Sequence, residues 1–313
     1  MIRKGSTAIN YLAEKQHLED SAASSHWQEY HRDFSFGDQG FAGLRGFGGN
    51  GSRKLGFLHS IMQRRFREMG WNFDSYESFF NLAQNIVRSQ QRVLDLDVLR
   101  NVLSLSLLSQ EAPQAFGIDR AVCVIGDGFG IATALLVASE RVKQVVLVNL
   151  TKTLMVDLHY LRSYMGEKFE DEVVLLCDGE ASIDEVALCC DAKVVAIEAE
   201  NCDLLLRRPV DLFINIVSMQ EMNPSTIKHY FELIRENAAV RSTLFYCANR
   251  QHKILPDGTD VIFDNYPWDP LDDIILEGLV PWHQQYYRFL PPVFRPYDGP
   301  IKHRLSQMSI RSY

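Results

Sequence analysis

The sequence predicts an α/β protein, a doubly wound and mostly parallel sheet preceded by a helical N-terminal region. Three observations carry that reading. After Pro113, apolar runs of strand length alternate with helix-like segments. Those runs are apolar at successive positions rather than at every second one, as strands covered by helices on both faces require. Before about residue 110 the apolar residues instead recur at helical spacing, as in Ile61, Met62, Phe66, Met69 and again in Phe79, Leu82, Ile86, Val87.

In chain order, the helical region is interrupted by a glycine-rich stretch at 37–56, which no strand precedes and which therefore reads as a flexible loop or an acceptor-side lid. Strands are expected at 121–125 and 145–148, each followed by a helix, at 130–141 and 151–165. Further strands are expected at 173–177, 194–197, 211–216 and 243–247, with two more at 274–276 and 301–310. The expected organisation is a helical region over 1–112 on the acceptor side and an α/β domain over 113–313.

Composition excludes several classes. The 313 residues are 46% hydrophobic and 23% charged, as in ordinary globular proteins. No signal peptide or membrane-length apolar run is present, so no integral membrane segment and a cytoplasmic location are expected. Cys123, Cys177, Cys189, Cys190, Cys202 and Cys247 form no CxxC pair and read as small buried hydrophobes, against a disulfide framework or zinc site. The net charge of −8 is uneven: residues 1–100 carry +2 (13 basic, 11 acidic) and the remainder −10 (19 basic, 29 acidic). Such a surface repels a phosphate backbone, and the cluster of Arg53, Lys54, Arg64, Arg65 and Arg67 is too short to compensate, so no nucleic-acid partner is expected. The composition leaves room for a homodimer.

The sharpest motif is Val122-Cys123-Val124-Ile125-Gly126-Asp127-Gly128-Phe129-Gly130, a strand entering a GxGxG turn that opens a helix. Glycines let the backbone turn tightly and approach a ligand, and the following helix is expected to present free amide groups to it. A dinucleotide site would show GxGxxG with an acid about 20 residues on. Here the spacing is GxGxG, and the second strand ends Val148-Asn149-Leu150, with an amide at the ribose position. The expected cofactor residues are thus Gly126, Asp127, Gly128, Gly130, Asn149 and Leu150, although Asn149 suits equally a cap for the helix at Thr151. Past the strand at 194–197, Glu200 and Asn201 are placed to accept from an adenine, with Asp178-Gly179 as the competing pair.

The segment Asp211-Leu212-Phe213-Ile214-Asn215-Ile216-Val217-Ser218-Met219-Gln220-Glu221-Met222, followed by Ile227, Tyr230-Phe231 and Ile234-Arg235, resembles the sugar O-methyltransferase family. Ser-Met-Gln-Glu-Met is its most specific part, and the similarity continues through Phe245-Tyr246, Asn249-Arg250, Asp257-Gly258 and Asp264-Asn265-Tyr266-Pro267. The resemblance implies a Rossmann-like class I methyltransferase core with a seven-stranded, mostly parallel sheet. It implies S-adenosylmethionine as methyl donor and a sugar hydroxyl, on a small molecule or glycan, as acceptor. Many class I enzymes carry acids at the positions of Val124 and Asn149, which this chain lacks. Asp127, inside the turn, is the residue expected to face the sulfonium or the methionine amine in their place.

Methyl transfer to oxygen needs an in-line approach and a base for the hydroxyl proton. Glu221, after the strand at 211–216, is the leading base, with capping of the helix near Pro224 as its other reading; His252 and His283 are further bases. Gln220 is expected to orient the acceptor, and Tyr266 and Trp268, with Trp282, Tyr286 and Tyr287, to stack on a sugar ring. Asp269, Asp272 and Asp273 carry oxygens suited to a divalent ion or to helix capping, so no metal is assigned. The competing functions are a non-catalytic interaction protein and a nicotinamide oxidoreductase, the latter opposed by the glycine spacing.

Overall fold

The structure is a computed structural model and describes residues 2–37, 40–44, 56–177 and 191–310. The chain opens with β1 (Ile2–Lys4), α1 (Ser6–Lys15), α2 (Ser25–Tyr30) and a hairpin of β2 (Ser35–Gly37) and β3 (Gly40–Ala42). Four helices follow: α3 (Gly56–Met62), α4 (Arg64–Gly70), α5 (Tyr76–Ser89) and α6 (Leu96–Glu111). The alternating part begins with β4 (Gly117–Ile125), α7 (Ile131–Ser139), β5 (Val142–Asn149), α8 (Thr151–Met165), α9 (Lys168–Glu172) and β6 (Val173–Leu176). It continues through β7 (Val194–Glu198), β8 (Leu212–Ile216), α10 (Pro224–Val240) and β9 (Leu244–Arg250). The last elements are the hairpin β10 (His252–Ile254) and β11 (Asp260–Ile262), then β12 (Asp273–Leu279), the hairpin β13 (Gln285–Phe289) and β14 (Pro292–Pro296), and β15 (Ile301–Gln307).

Among the described residues the central sheet has nine strands in the order β1-β6-β7-β5-β4-β8-β9-β15-β12. The six from β6 to β9 are parallel, while β15, β12 and β1 run antiparallel to their neighbours. The sheet has two strands more than the seven the resemblance implies, and the eight strands expected from the apolar runs omit β1, whose Ile2, Arg3 and Lys4 pair with Leu176, Leu175 and Val174. Three residues are too few to show an alternating pattern, and the partner strand lies far along the chain. The β2–β3 hairpin likewise departs from the all-helical expectation for the N-terminal region.

The continuous apolar runs arise because alternate residues enter different cores. Val122, Val124, Val145 and Leu147 join one cluster with helices α5 to α8; Cys123, Ile125, Val146 and Val148 join another with Ile227, Tyr230, Phe231 and Ile234 of α10. Tyr266 and Trp268 belong to the second cluster, so the sugar-stacking role expected of them is corrected: Trp268 donates its Nε1 hydrogen to Phe263 O at 3.0 Å, and both rings pack on Phe263. Trp282 is core as well, donating to Ser104 Oγ at 3.2 Å. Cys123, Cys177, Cys202 and Cys247 are buried; Cys189, Cys190 and the Asp178-Gly179 pair lie outside the described residues, as does most of the glycine-rich stretch.

The sheet reverses direction of growth at β4: the chain proceeds from β4 to β5 on one side and later returns to place β8 on the other. This is a topological switch point, and ligands of open α/β sheets bind at the carboxyl ends of the strands there.

Asp272, one of the carboxylates considered for a cation, is instead committed to Arg235 of α10 through two hydrogen bonds of 2.7 and 2.9 Å, with both side chains at most 3% exposed. Removing one partner of a buried ion pair strands the other charge. Asp272→Ala is therefore expected to lower stability by about 3–5 kcal/mol in urea denaturation, and a loss below about 1 kcal/mol would show the pair to be energetically idle.

Candidate functional site

Gly126, Gly128, Phe129 and Gly130 all have positive φ, of 72°, 66°, 58° and 60°. Left-handed backbone is free for glycine and strained for phenylalanine, so the turn is held by its surroundings at Phe129. At Gly126 there is a second requirement, because a Cβ would overlap Ser218 Oγ and Cβ.

Asp127 lines the cleft, and its carboxylate is engaged by the protein. Its Oδ1 accepts from Ala132 N at 2.8 Å and its Oδ2 from Thr133 N at 2.7 Å, which places the carboxylate on the first turn of α7. The amides expected to be free for a ligand are thus taken by the protein itself. Gly130 N donates to Asp157 Oδ1 at 3.0 Å, which ties the end of the turn to α8. Asp157, buried in α8, also accepts from Asn149 Nδ2 at 2.7 Å. Asn149 Oδ1 accepts from Leu150 N at 3.0 Å and Thr153 Oγ1 at 2.7 Å; the backbone donor assigns which side-chain atom is oxygen. Burial pushes both Asp127 and Asp157 above the usual carboxylate range, and the charge of Asp127 raises Asp157 further. The carboxylate expected at the end of the second strand is therefore missing for a reason: Asp157 already supplies one within hydrogen-bond reach.

The opposite wall follows β8. Asn215 donates to Ile125 O at 2.8 Å and accepts from Met219 N at 3.0 Å and Asn249 Nδ2 at 2.8 Å. Asn249 in turn accepts from Gln220 N at 3.0 Å, and Gln220 Oε1 accepts from Arg250 N at 2.9 Å. Gln220 is thus a buried clamp between β8 and β9 rather than an acceptor-orienting group. These amides set the path of Ile216 to Glu221, including Val217, a β-branched residue at φ 59°.

Between the walls lies a cleft open to solvent, whose empty space, open solvent included, is about 950 Å³. Its floor is the glycine turn, with Asn149, Ile216 and Ser218 beside it. Trp27 from α2 and Asp97, Arg100 and Asn101 from α6 line it from the N-terminal region, and His283 and Tyr297 from the C-terminal part. A narrower adjoining crevice reaches Leu150, Ala199 and Tyr230. Glu200 and Asn201, expected near an adenine, line neither space; Glu200 instead accepts from Lys15 Nζ at 2.8 Å, which also holds buried Glu198 at 2.7 Å.

The three expected bases fall in different settings. His252 is exposed on the β10–β11 hairpin, 2.6 Å from Asp260 Oδ1, and does not line the cleft. Glu221 lines it but is ion-paired: Lys253 Nζ donates to Oε1 at 2.8 Å and His26 Nε2 lies 3.5 Å from Oε2. Burial pushes Glu221 up, yet those two partners outweigh it and leave it below the usual glutamate range. His283 lines the cleft at 3% exposure with neither ring nitrogen hydrogen-bonded among the described residues. Burial, aided by the Arg100 charge and by His303, drives its pKa well below the usual histidine value. Arg100 holds the backbone on both sides of it, donating to Trp282 O at 3.2 Å and Gln285 O at 2.8 Å.

Sequence reasoning missed Trp27, Asp97, Arg100, Asp157 and Tyr297. They come from scattered segments without a motif, and only Asp157, on the helix after the second strand, had a locatable signal. Tyr286 and Tyr287 are half-buried outside the cleft, the latter accepting from Gln63 Nε2 at 3.1 Å and hydrogen-bonded to His59 Nδ1 at 2.6 Å.

No family model matches the sequence, and no curated protein matches it. Solved structures to which the chain is similar include the methyltransferase domain of bacterial CtHen1-CN, at 10% identity over 67% of this chain and 97% of that one, with a TM-score of 0.37. Another is M. capricolum TrmK in complex with the natural cofactor product S-adenosyl-homocysteine, at 12% identity over 66% and 70% of the chains and a TM-score of 0.38. A third is the O-methyltransferase TomG from Streptomyces achromogenes, involved in tomaymycin synthesis and solved with SAM, at 13% identity over 82% and 97% and a TM-score of 0.32. These are remote likenesses.

The Asn149–Asp157 contact makes a sharp prediction. Asn149→Asp places two carboxylates within hydrogen-bond distance, so one is forced to keep its proton and its folded-state pKa rises above the unfolded value. Stability relative to the native chain is then best preserved below about pH 4 and falls as pH rises through the folded pKa. Denaturation at pH 5 and pH 8 is expected to show a penalty of roughly 1–3 kcal/mol at the higher pH and less at the lower; a pH-independent penalty would contradict the contact.

Proposed function

We propose that the chain is an S-adenosylmethionine-dependent O-methyltransferase acting on a sugar hydroxyl. The observation that carries the reading is the carboxylate of Asp127 on the first turn of α7. A dinucleotide pyrophosphate binds through free amides and positive field at that helix end. Here the amides are used and the field is met by a carboxylate, which repels phosphate and suits a cationic ligand. Glycine backbone nevertheless floors the cleft, and the neighbouring wall carries a buried histidine without a hydrogen-bond partner among the described residues, a combination that leaves room for a compact nucleoside with a positive centre. The nicotinamide reading is opposed by the same carboxylate.

S-adenosylmethionine, when bound, supplies an electrophilic methyl group on a positively charged sulfur. The residues suited to hold it are Gly126, Asp127 and Gly128 in the turn, with Asn149 and Leu150 at the end of β5. His283 takes the acceptor proton: a neutral imidazole at neutral pH has a free nitrogen for it, whereas the Glu221 carboxylate is occupied by Lys253. Arg100 fixes the base by anchoring its flanking carbonyls. Glu221 is a positioning residue that joins the β8 loop to α2 through His26. The N-terminal region forms the acceptor side, since Trp27, Asp97 and Asn101 pair an aromatic face with planar polar groups, a combination suited to a sugar ring. The choice of a sugar rests on the Ser218-to-Met222 resemblance.

His283→Gln is expected to retain donor binding while turnover falls by about 10²–10⁴, and Glu221→Gln to retain turnover within about tenfold. Because the His283 pKa lies well below 6.5, kcat/KM should stay level through neutral pH and decline only in acid. An unchanged rate for His283→Gln, measured with labelled donor and a sugar acceptor drawn from the organism's own glycans, would remove the proton-transfer assignment; labelling of protein or nucleic acid alone would remove the sugar.

A further inference from the structure

We infer that Arg92, in the loop between α5 and α6, binds the amino-acid carboxylate of the methyl donor, so that the N-terminal region completes the donor site. The inference rests on the donor proposed above and assigns one residue within it.

Arg92 lines the cleft beside Asp127, Gly128 and Phe129 and is 7% exposed. Its guanidinium carbon lies 4.0 Å from the centre of the Phe129 ring, the strained residue of the glycine turn. Its Nε is buried without a hydrogen-bond partner among the described residues, and Nη1 makes a long 3.4 Å hydrogen bond to Gln90 Oε1. The carboxylates of Asp95, Asp97 and Asp127 act on it through charge. A buried guanidinium with so few acceptors carries a large desolvation cost that a ligand anion would offset. Arginine presents a planar fork matched to a carboxylate.

The proposed donor has one carboxylate, and it lies at the opposite end of the molecule from the adenine. Adenine at the Leu150–Ala199 crevice therefore leaves the amino-acid end directed toward the far side of the turn, where Arg92 stands. Arg100, the other cleft cation, is already occupied by Asp97, Trp282 O and Gln285 O, which leaves Arg92 as the cation with open capacity among the described residues of the cleft.

The test is calorimetric titration of the full chain with S-adenosylmethionine and with its decarboxylated analogue, which keeps the sulfonium, the nucleoside and the amine. The native chain is expected to prefer the carboxylated compound by tenfold or more. Arg92→Gln should weaken its binding by ten- to a hundredfold, leave the analogue within about twofold, and so erase the preference; Arg92→Lys should restore part of it. Loss of both compounds together in Arg92→Gln would show a role in holding Phe129 and overturn the inference, as would an unchanged preference. Failure of the native chain to bind either compound would instead overturn the donor reading, and the assignment with it.

Discussion

The carboxylate of Asp127 on the amino end of α7 is the constraint on which the rest of the site depends. A GxGxG turn between a buried strand and a helix has to satisfy the first amides of that helix, because buried unpaired donors cost about 1–3 kcal/mol each. Here the turn does so from within. The consequence is a helix end that no longer attracts phosphate, beside glycine backbone that still admits a ligand. Asp157 performs the matching task at the other end of the turn by binding Gly130 N, and it draws Asn149 into the same network. A second carboxylate at position 149 would confront the first, so an amide there follows from the packing of α8.

The far wall is built on a different principle. Asn215, Asn249 and Gln220 bond one another and the backbone across the ends of β4, β8 and β9, a buried network of the kind that specifies one geometry. It supports Val217 in a conformation a β-branched residue avoids. Onto this frame α2 and α6 bring Trp27, Asp97 and Asn101, and the segment after β12 brings His283. The cleft is therefore assembled from both ends of the chain around a rigid centre.

The parallel sheet and the glycine turn were legible because each leaves a local signature: runs apolar on both faces, and glycines where the backbone is left-handed. β1 was not legible, since its pairing with β6 is long-range and three residues show no period. Aromatic residues misled for a physical reason: Tyr266 and Trp268 near polar residues read as a stacking platform, but rings of that size are most often placed by core packing. Among the bases, His252 and His283 look alike in sequence, and what separates them is exposure, one surface-paired and the other buried in the cleft. Glu221 sits where the strand pattern placed it, yet its ion pairs with Lys253 and His26 come from distant segments that no spacing reveals.

The central claim is that the turn accepts a cationic nucleoside donor and rejects a dinucleotide. Its most direct measurement is thermal stabilisation of the purified chain by S-adenosylmethionine against NADH at equal concentration. The account predicts a shift with the former, of about 2–3 kcal/mol near a hundred times its dissociation constant, and none with the latter. Stabilisation by NADH alone would contradict it.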